Sequence, residues 1–160
     1  MSPEITEAAL VDMLVHQEEL VSQLYRTYAD RFPEHKVFWA DLADEEMNHA
    51  AWLRRLYARA QTGTGVVKIE RVDLQTIQDN IRTAERFLAA SDQCTLGMSE
   101  ALRAALQLEE CICESEYFSI FEGDSEWAEF KQVQYCLAEA TQHHVDKIRT
   151  LLEQSPGAQL

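Results

Sequence analysis

An all-α protein is what this sequence predicts, on three observations. Apolar residues recur three and four positions apart instead of alternating, which is the helical period. Five Gly and three Pro in 160 residues leave long stretches without a break. Only residues 61 to 71, QTGTGVVKIER, cluster glycines with β-branched residues, so they read as the one long loop. With 46% hydrophobic and 26% charged residues the chain has the material for a core. Its length fits one domain, residues 1–154, with a flexible tail at 155–160.

Each element follows from local signals. Ser2-Pro3-Glu4 offers an N-cap, a first-turn proline and an early acid, so the first helix is expected from there to about Arg31, stopped by Pro33. Val11, Leu14, Val15, Val21, Tyr25 and Phe32 mark its apolar face. A second helix follows a short turn and runs to about Ala60 with Phe38, Leu42, Leu53 and Leu56 inward. So short a turn makes the two antiparallel neighbours. Beyond the loop a shorter helix is expected over Asp73 to Ala90, with Leu74, Ile77, Ile81, Ala84 and Leu88 on one side. The third long helix, about Thr95 to Phe121, presents Leu102, Ala105, Leu106, Ile112, Cys113 and Ile120. The turn EGDS leads to a last helix, about Glu126 to Gln154, whose stripe is Phe130, Val133, Leu137, Ala140, Ile148 and Leu151. No sheet is expected. Two antiparallel hairpins joined by a long crossover with a short extra helix make a four-helix bundle. A faint repeat relates the hairpins: Leu10, Leu14, Glu18 and Tyr25 recur, with a shift of one residue, as Leu102, Leu106, Glu109 or Glu110, and Tyr117.

Charge and cysteines narrow the function. Twenty-eight acids against 14 Lys and Arg give a formal charge of -14, which repels phosphate backbones and anionic lipid, so neither nucleic acid nor membrane is an expected partner. The start lacks a basic segment followed by an apolar one, and no apolar run reaches the roughly 18 to 20 residues of a membrane span, so a cytoplasmic location is the expectation. Cys94, Cys111, Cys113 and Cys136 form no C-x-x-C pair, which excludes a zinc knuckle. They read as reduced, mostly buried small hydrophobes.

An ionised side chain turned toward a helical core costs several kcal/mol unless it is paired or bound to metal, so inward acids are informative. Glu18 has Val11, Leu14, Val15, Val21 and Tyr25 around it on the helical net, whereas Glu19 has Asp12, His16, Gln23 and Arg26. Glu18 points in. Glu46 and His49, three apart and flanked by Trp39, Leu42, Ala43, Leu53 and Leu56, both point in and can converge on one ion. Glu109 sits among Leu102, Ala105, Leu106, Ile112 and Cys113, while Glu110 neighbours Arg103, Gln107 and Glu114. Glu116 continues that inner stripe, about 10 Å further along, and reads as a buried hydrogen-bonding residue or a partly exposed one. On the last helix His144 is central to the apolar stripe, His143 about 100° to one side and Glu139 nearly on the back. Thr141 stands three before His144, where an acid would complete a second Glu-x-x-His. Glu139 with His143 is the off-register alternative.

HQEELVSQLY around Glu18, FWADLADEEMNHAAWL around Glu46 and His49, and ALRAALQLEE around Glu109 resemble the helices of ferritin-like di-iron carboxylate proteins, most closely the rubrerythrin type. The resemblance implies a ferritin-like bundle with Glu18, Glu46, His49, Glu109 and His144 as metal ligands. It also implies two iron ions, with manganese or mixed metal as variants. The implied activity is that of an oxidoreductase: peroxide or oxygen reduction, or oxidation of ferrous iron as substrate. No C-x-x-C pairs follow the last helix, so the rubredoxin domain is absent and a separate donor protein would supply electrons. A homo-oligomer is the usual state of such bundles, with Trp52 and Trp127 as exposed contacts. Three carboxylates against two divalent ions leave about one positive charge unbalanced, which predicts weaker binding of the second ion. Cys113 is a conceivable soft ligand, and Tyr25 and Tyr117 read as rim residues of the core. The competing reading is a non-catalytic bundle with a degenerate or single-metal site that serves binding or assembly.

Overall fold

A computed structural model describes residues 4–63, 65–93, 95–123 and 128–156, apart from the side chains of Glu129 and Phe130. Of these residues 84% are helical. Helix α1, Glu7–Arg31, starts later than expected. Thr6 is its cap, with its hydroxyl accepting the Ala9 N–H at 3.2 Å and Glu7 in the first turn. Ser2 and Pro3 lie outside the described residues. Replacing Thr6 by alanine is expected to lower stability by about 1 kcal/mol in urea unfolding, because one N–H of the first turn loses its acceptor.

Pro33–His35 make a single 3₁₀ turn, and α2, Lys36–Thr62, returns along α1. The loop that follows holds a short strand, β1 (Val66–Val67), before α3, Leu74–Ala90, which Asp73 caps by accepting the Gln75 N–H at 3.0 Å. Helix α4, Met98–Ser115, begins after Gly97 and not at Thr95; it ends six residues before Phe121. Nothing like a glycine or proline marks that end. Glu116 takes a left-handed conformation (φ 47°) and Tyr117–Ile120 form a 3₁₀ turn. Phe121–Glu122 (β2) then pair antiparallel with β1, Val66 opposite Glu122 and Val67 opposite Phe121. This small ribbon corrects the expectation of no sheet; each strand is two residues long, too short to show alternation. Helix α5, Ala128–Gln154, packs along α4, and its expected first residues Glu126 and Trp127 lie outside the described ones. Helix α3 lies against both α1 and α4.

Four aromatic residues anchor the core. Tyr25, Tyr28, Trp39 and Tyr117 are the largest fully buried side chains among the described residues, with the Trp39 ring 5.4 Å from Tyr25 and 4.9 Å from Tyr28. The cysteines depart from expectation: Cys111 is exposed, Cys113 and Cys136 are half-buried, and all three are free. Cys94 and Trp127 fall outside the described residues, and Trp52 is half-buried, not exposed. No helix among the described residues is long and apolar enough to cross a membrane.

Candidate metal centre

Five ionisable side chains from four helices meet in this core: Glu18 from α1, Glu46 and His49 from α2, Glu109 from α4 and His144 from α5, none more than 2% exposed. The helical period turns each of them inward, while Glu19, Glu110 and His143, each one residue away, face the surface. Glu19 pairs with Arg54 and Glu110 with Arg149 on the surface. His143 is exposed, and Glu139, also exposed, accepts from Tyr135, so the off-register pair is not brought to the cluster.

Glu46 is the centre of the arrangement. One of its oxygens lies 3.0 Å from His49 Nδ1 and the other 2.7 Å from His144 Nδ1. The imidazoles stack with centroids 5.3 Å apart. Glu18 Oε2 stands 3.4 Å from His49 Nδ1, and Glu109 Oε1 stands 3.4 Å from His144 Nδ1. The cluster is therefore two halves, each with its own glutamate and histidine, sharing Glu46. One donor atom from each of Glu46, His49 and His144 falls within 4.8 Å of the others.

A second ring of residues holds the first. Tyr25 donates to Glu109 Oε1 at 2.6 Å and the Gln17 amide donates to Glu18 Oε1 at 3.1 Å. The outer nitrogen of His144, Nε2, sits 2.5 Å from Glu45, which also accepts from Lys147 at 3.1 Å. Tyr117 is fully buried, faces Glu18 and makes no hydrogen bond of good geometry. The two tyrosines are thus not rim residues; each lies beside the glutamate of the other hairpin. Glu116 is exposed at the end of α4, in a left-handed conformation. Cys113 approaches Gln142, 3.7 Å away, and takes no part.

Charge explains how the acids tolerate burial. Burial raises Glu46, but the charges of His49 and His144 outweigh it and hold the carboxyl well below its usual range. Burial pushes Glu18 up to about 7, and burial with the Glu46 charge raises Glu109. Both histidines are opposed by burial yet lifted by the acids, chiefly Glu46, His49 to about 10 and His144 to about 12. Without a metal ion both rings therefore keep their second proton, as imidazolium, at neutral pH. Burial, then Glu109, raises Tyr25 well above a normal phenol, so its hydroxyl stays a donor.

One detail separates this cluster from an ordinary buried ion network. His144 Nδ1 and Glu46 Oε1 are ion-paired at 2.7 Å, yet neither atom makes a well-directed hydrogen bond. A buried ion pair regains its desolvation cost in full only when its hydrogen bonds are also well aligned. A cation at their common focus would satisfy both, and a set of carboxylate and imidazole donors suits iron or manganese. His144 turned inward at Nδ1 with Nε2 on a carboxylate is also the usual support of a metal-bound histidine.

Glu45, Gln17 and Lys147 were not visible as site residues in the sequence. Glu45 lies about 100° around α2 from Glu46, and only the placement of α5 brings it to His144. Comparison with protein-family models, with curated proteins and with solved structures finds no match for this chain.

Proposed function

We propose that the chain is a ferritin-like, rubrerythrin-type di-metal protein. In this reading α1–α2 and α4–α5 are the hairpins of the four-helix bundle and α3 lies in the crossover. Glu18, Glu46, His49, Glu109 and His144 hold two iron ions, with manganese or a mixed pair as variants, and the substrate is peroxide, oxygen or ferrous iron. The observation that carries it is the poorly aligned meeting of His144 Nδ1 and Glu46 Oε1 inside a buried set of three acids and two histidines. Bound metal ions supply the redox chemistry. The chain's own residues do the rest: Glu46 serves both halves, Glu18 and Glu109 close each side, and Glu45 fixes the His144 ring through Nε2. A separate donor protein delivers electrons, and the chain works as a homo-oligomer.

Anaerobic titration of the metal-free chain with ferrous iron, followed by peroxide or air, tests this. About two ions per chain and consumption of the oxidant are expected; no uptake would overturn the reading. A single ion held by Glu46, His49 and His144, in a non-catalytic binding or assembly protein, is the second reading, favoured by the 4.8 Å spacing of those three donors. Stoichiometry separates the two.

Thr141 gives a sharper test. It is buried one turn before His144, with its hydroxyl spent on the Leu137 carbonyl at 3.0 Å. Thr141→Glu adds a fourth carboxylate on the same face. One carboxylate at about 4 Å from a divalent ion with an effective dielectric near 20 is worth about 8 kcal/mol before desolvation, so the second ion should tighten by at least about tenfold. His144→Ala should weaken binding and His143→Ala should not; the reverse would place the ligand on the wrong face.

A further inference from the structure

We infer that Asn80 and Gln17 are positioning residues for Glu18, an amide pair reaching from α3 that decides which oxygen of Glu18 is left for a metal ion. The inference rests on the di-metal reading. Gln17 is fully buried although it neighbours Glu18 in sequence, because α1 packs against α3 as well as α2. A carboxamide has a donor end and an acceptor end of the same shape, so its orientation decides whether it attracts or repels a carboxylate. Asn80, 4% exposed on α3, settles that orientation: its Nδ2 donates to Gln17 Oε1 at 3.4 Å. Gln17 Nε2 is thereby turned to Glu18 Oε1, and Glu18 Oε2 is the oxygen that faces His49. In the other half Tyr25, also on α1, donates to Glu109 Oε1, the same oxygen that faces His144, so the division of the two oxygens is particular to Glu18. Both donors are uncharged, so they hold the acids without competing with a cation, as Lys or Arg would.

Asn80→Asp tests the orientation itself. The side chain keeps its shape but only accepts when ionised, so Gln17 must turn its NH₂ toward residue 80 and its carbonyl toward Glu18. Gln17→Met removes the donor at similar volume and stands in should a buried aspartate prevent folding. The full chain and both variants are titrated anaerobically with Co(II), and Glu18→Ala identifies the ion on the Glu18 side. That ion should bind about 10- to 100-fold more weakly in either variant, and the other should keep its affinity. In the metal-free proteins, the Gln17 side-chain amide resonances should shift in Asn80→Asp while the helical circular dichroism does not change. Variants that keep wild-type affinity for both ions, or lose both equally, overturn the inference and leave the di-metal reading standing. A wild-type chain that binds no Co(II) overturns the two together.

Discussion

Glu46→Ala is expected to abolish metal binding altogether, while Glu19→Ala and Glu110→Ala leave it nearly intact. Glu46 touches both histidines, one with each oxygen, so its loss damages both halves at once. His49→Ala should come next in severity. Glu19 and Glu110 only form exposed ion pairs with Arg54 and Arg149, worth about 0–1 kcal/mol. The metal-free Glu46→Ala protein should also lose about 3–5 kcal/mol of stability, since the charge that holds both imidazolium rings has gone. Glu46→Gln keeps the volume and helps to separate loss of ligand from loss of packing. Elemental analysis with urea unfolding reads both quantities, and equal metal content in all the variants would mean that the buried cluster is not a metal centre.

Raising the pH should weaken the metal-free fold and strengthen metal binding. His49, up at about 10, and His144, up at about 12, lie above their unfolded values. Their contribution is complete below about pH 6.5 and is lost as pH rises toward those values. Glu18 is raised to about 7, so it too favours the protonated fold and its contribution fades between about 4.5 and 7. Glu46 is lowered, and its contribution is lost only in acid. Stability of the metal-free chain should therefore be greatest near pH 5–6 and fall above that. A bound metal ion replaces the ring protons. Each ion releases one of them, so the affinity for each should rise by about 10-fold per pH unit from about pH 7.5 to 9, and the product of the two by about 100-fold. Chelator-buffered titrations across that range, with melting curves of the metal-free chain, measure both; an affinity independent of pH would show that the rings carry no proton.

The inward face of every long helix was legible because one turn of helix repeats every 3.6 residues, and Glu18 and Glu19 have opposite neighbours. The same rule put Glu116 on the inner stripe, buried or partly exposed, and it is exposed. The rule assumes that the helix continues, and α4 stops at Ser115 on a residue with no sequence mark of a stop. The ribbon was hidden for another reason: its strands are far apart in sequence and each is too short to show a period. Gln17 and Glu45 escaped because their partners, Asn80 and His144, lie 63 and 99 residues away. Local pattern can say that a side chain is buried. It does not say which distant helix supplies the atom that it meets.

Glu116 also bears on how this chain tolerates a change of length. One residue added within a helix rotates all that follows by about 100°, which would swing an inward tyrosine to the outside. Glu18 and Tyr25 are seven residues apart; Glu109 and Tyr117 are eight. Both tyrosines are nonetheless fully buried. The longer step from Glu109 offsets the shorter one from Leu106, and it falls where α4 ends at a left-handed position on the surface, before the 3₁₀ turn that leads to the ribbon. An insertion at that point is confined to the outside of the molecule, so the two halves of the chain can drift apart in length there while the packing between them is preserved.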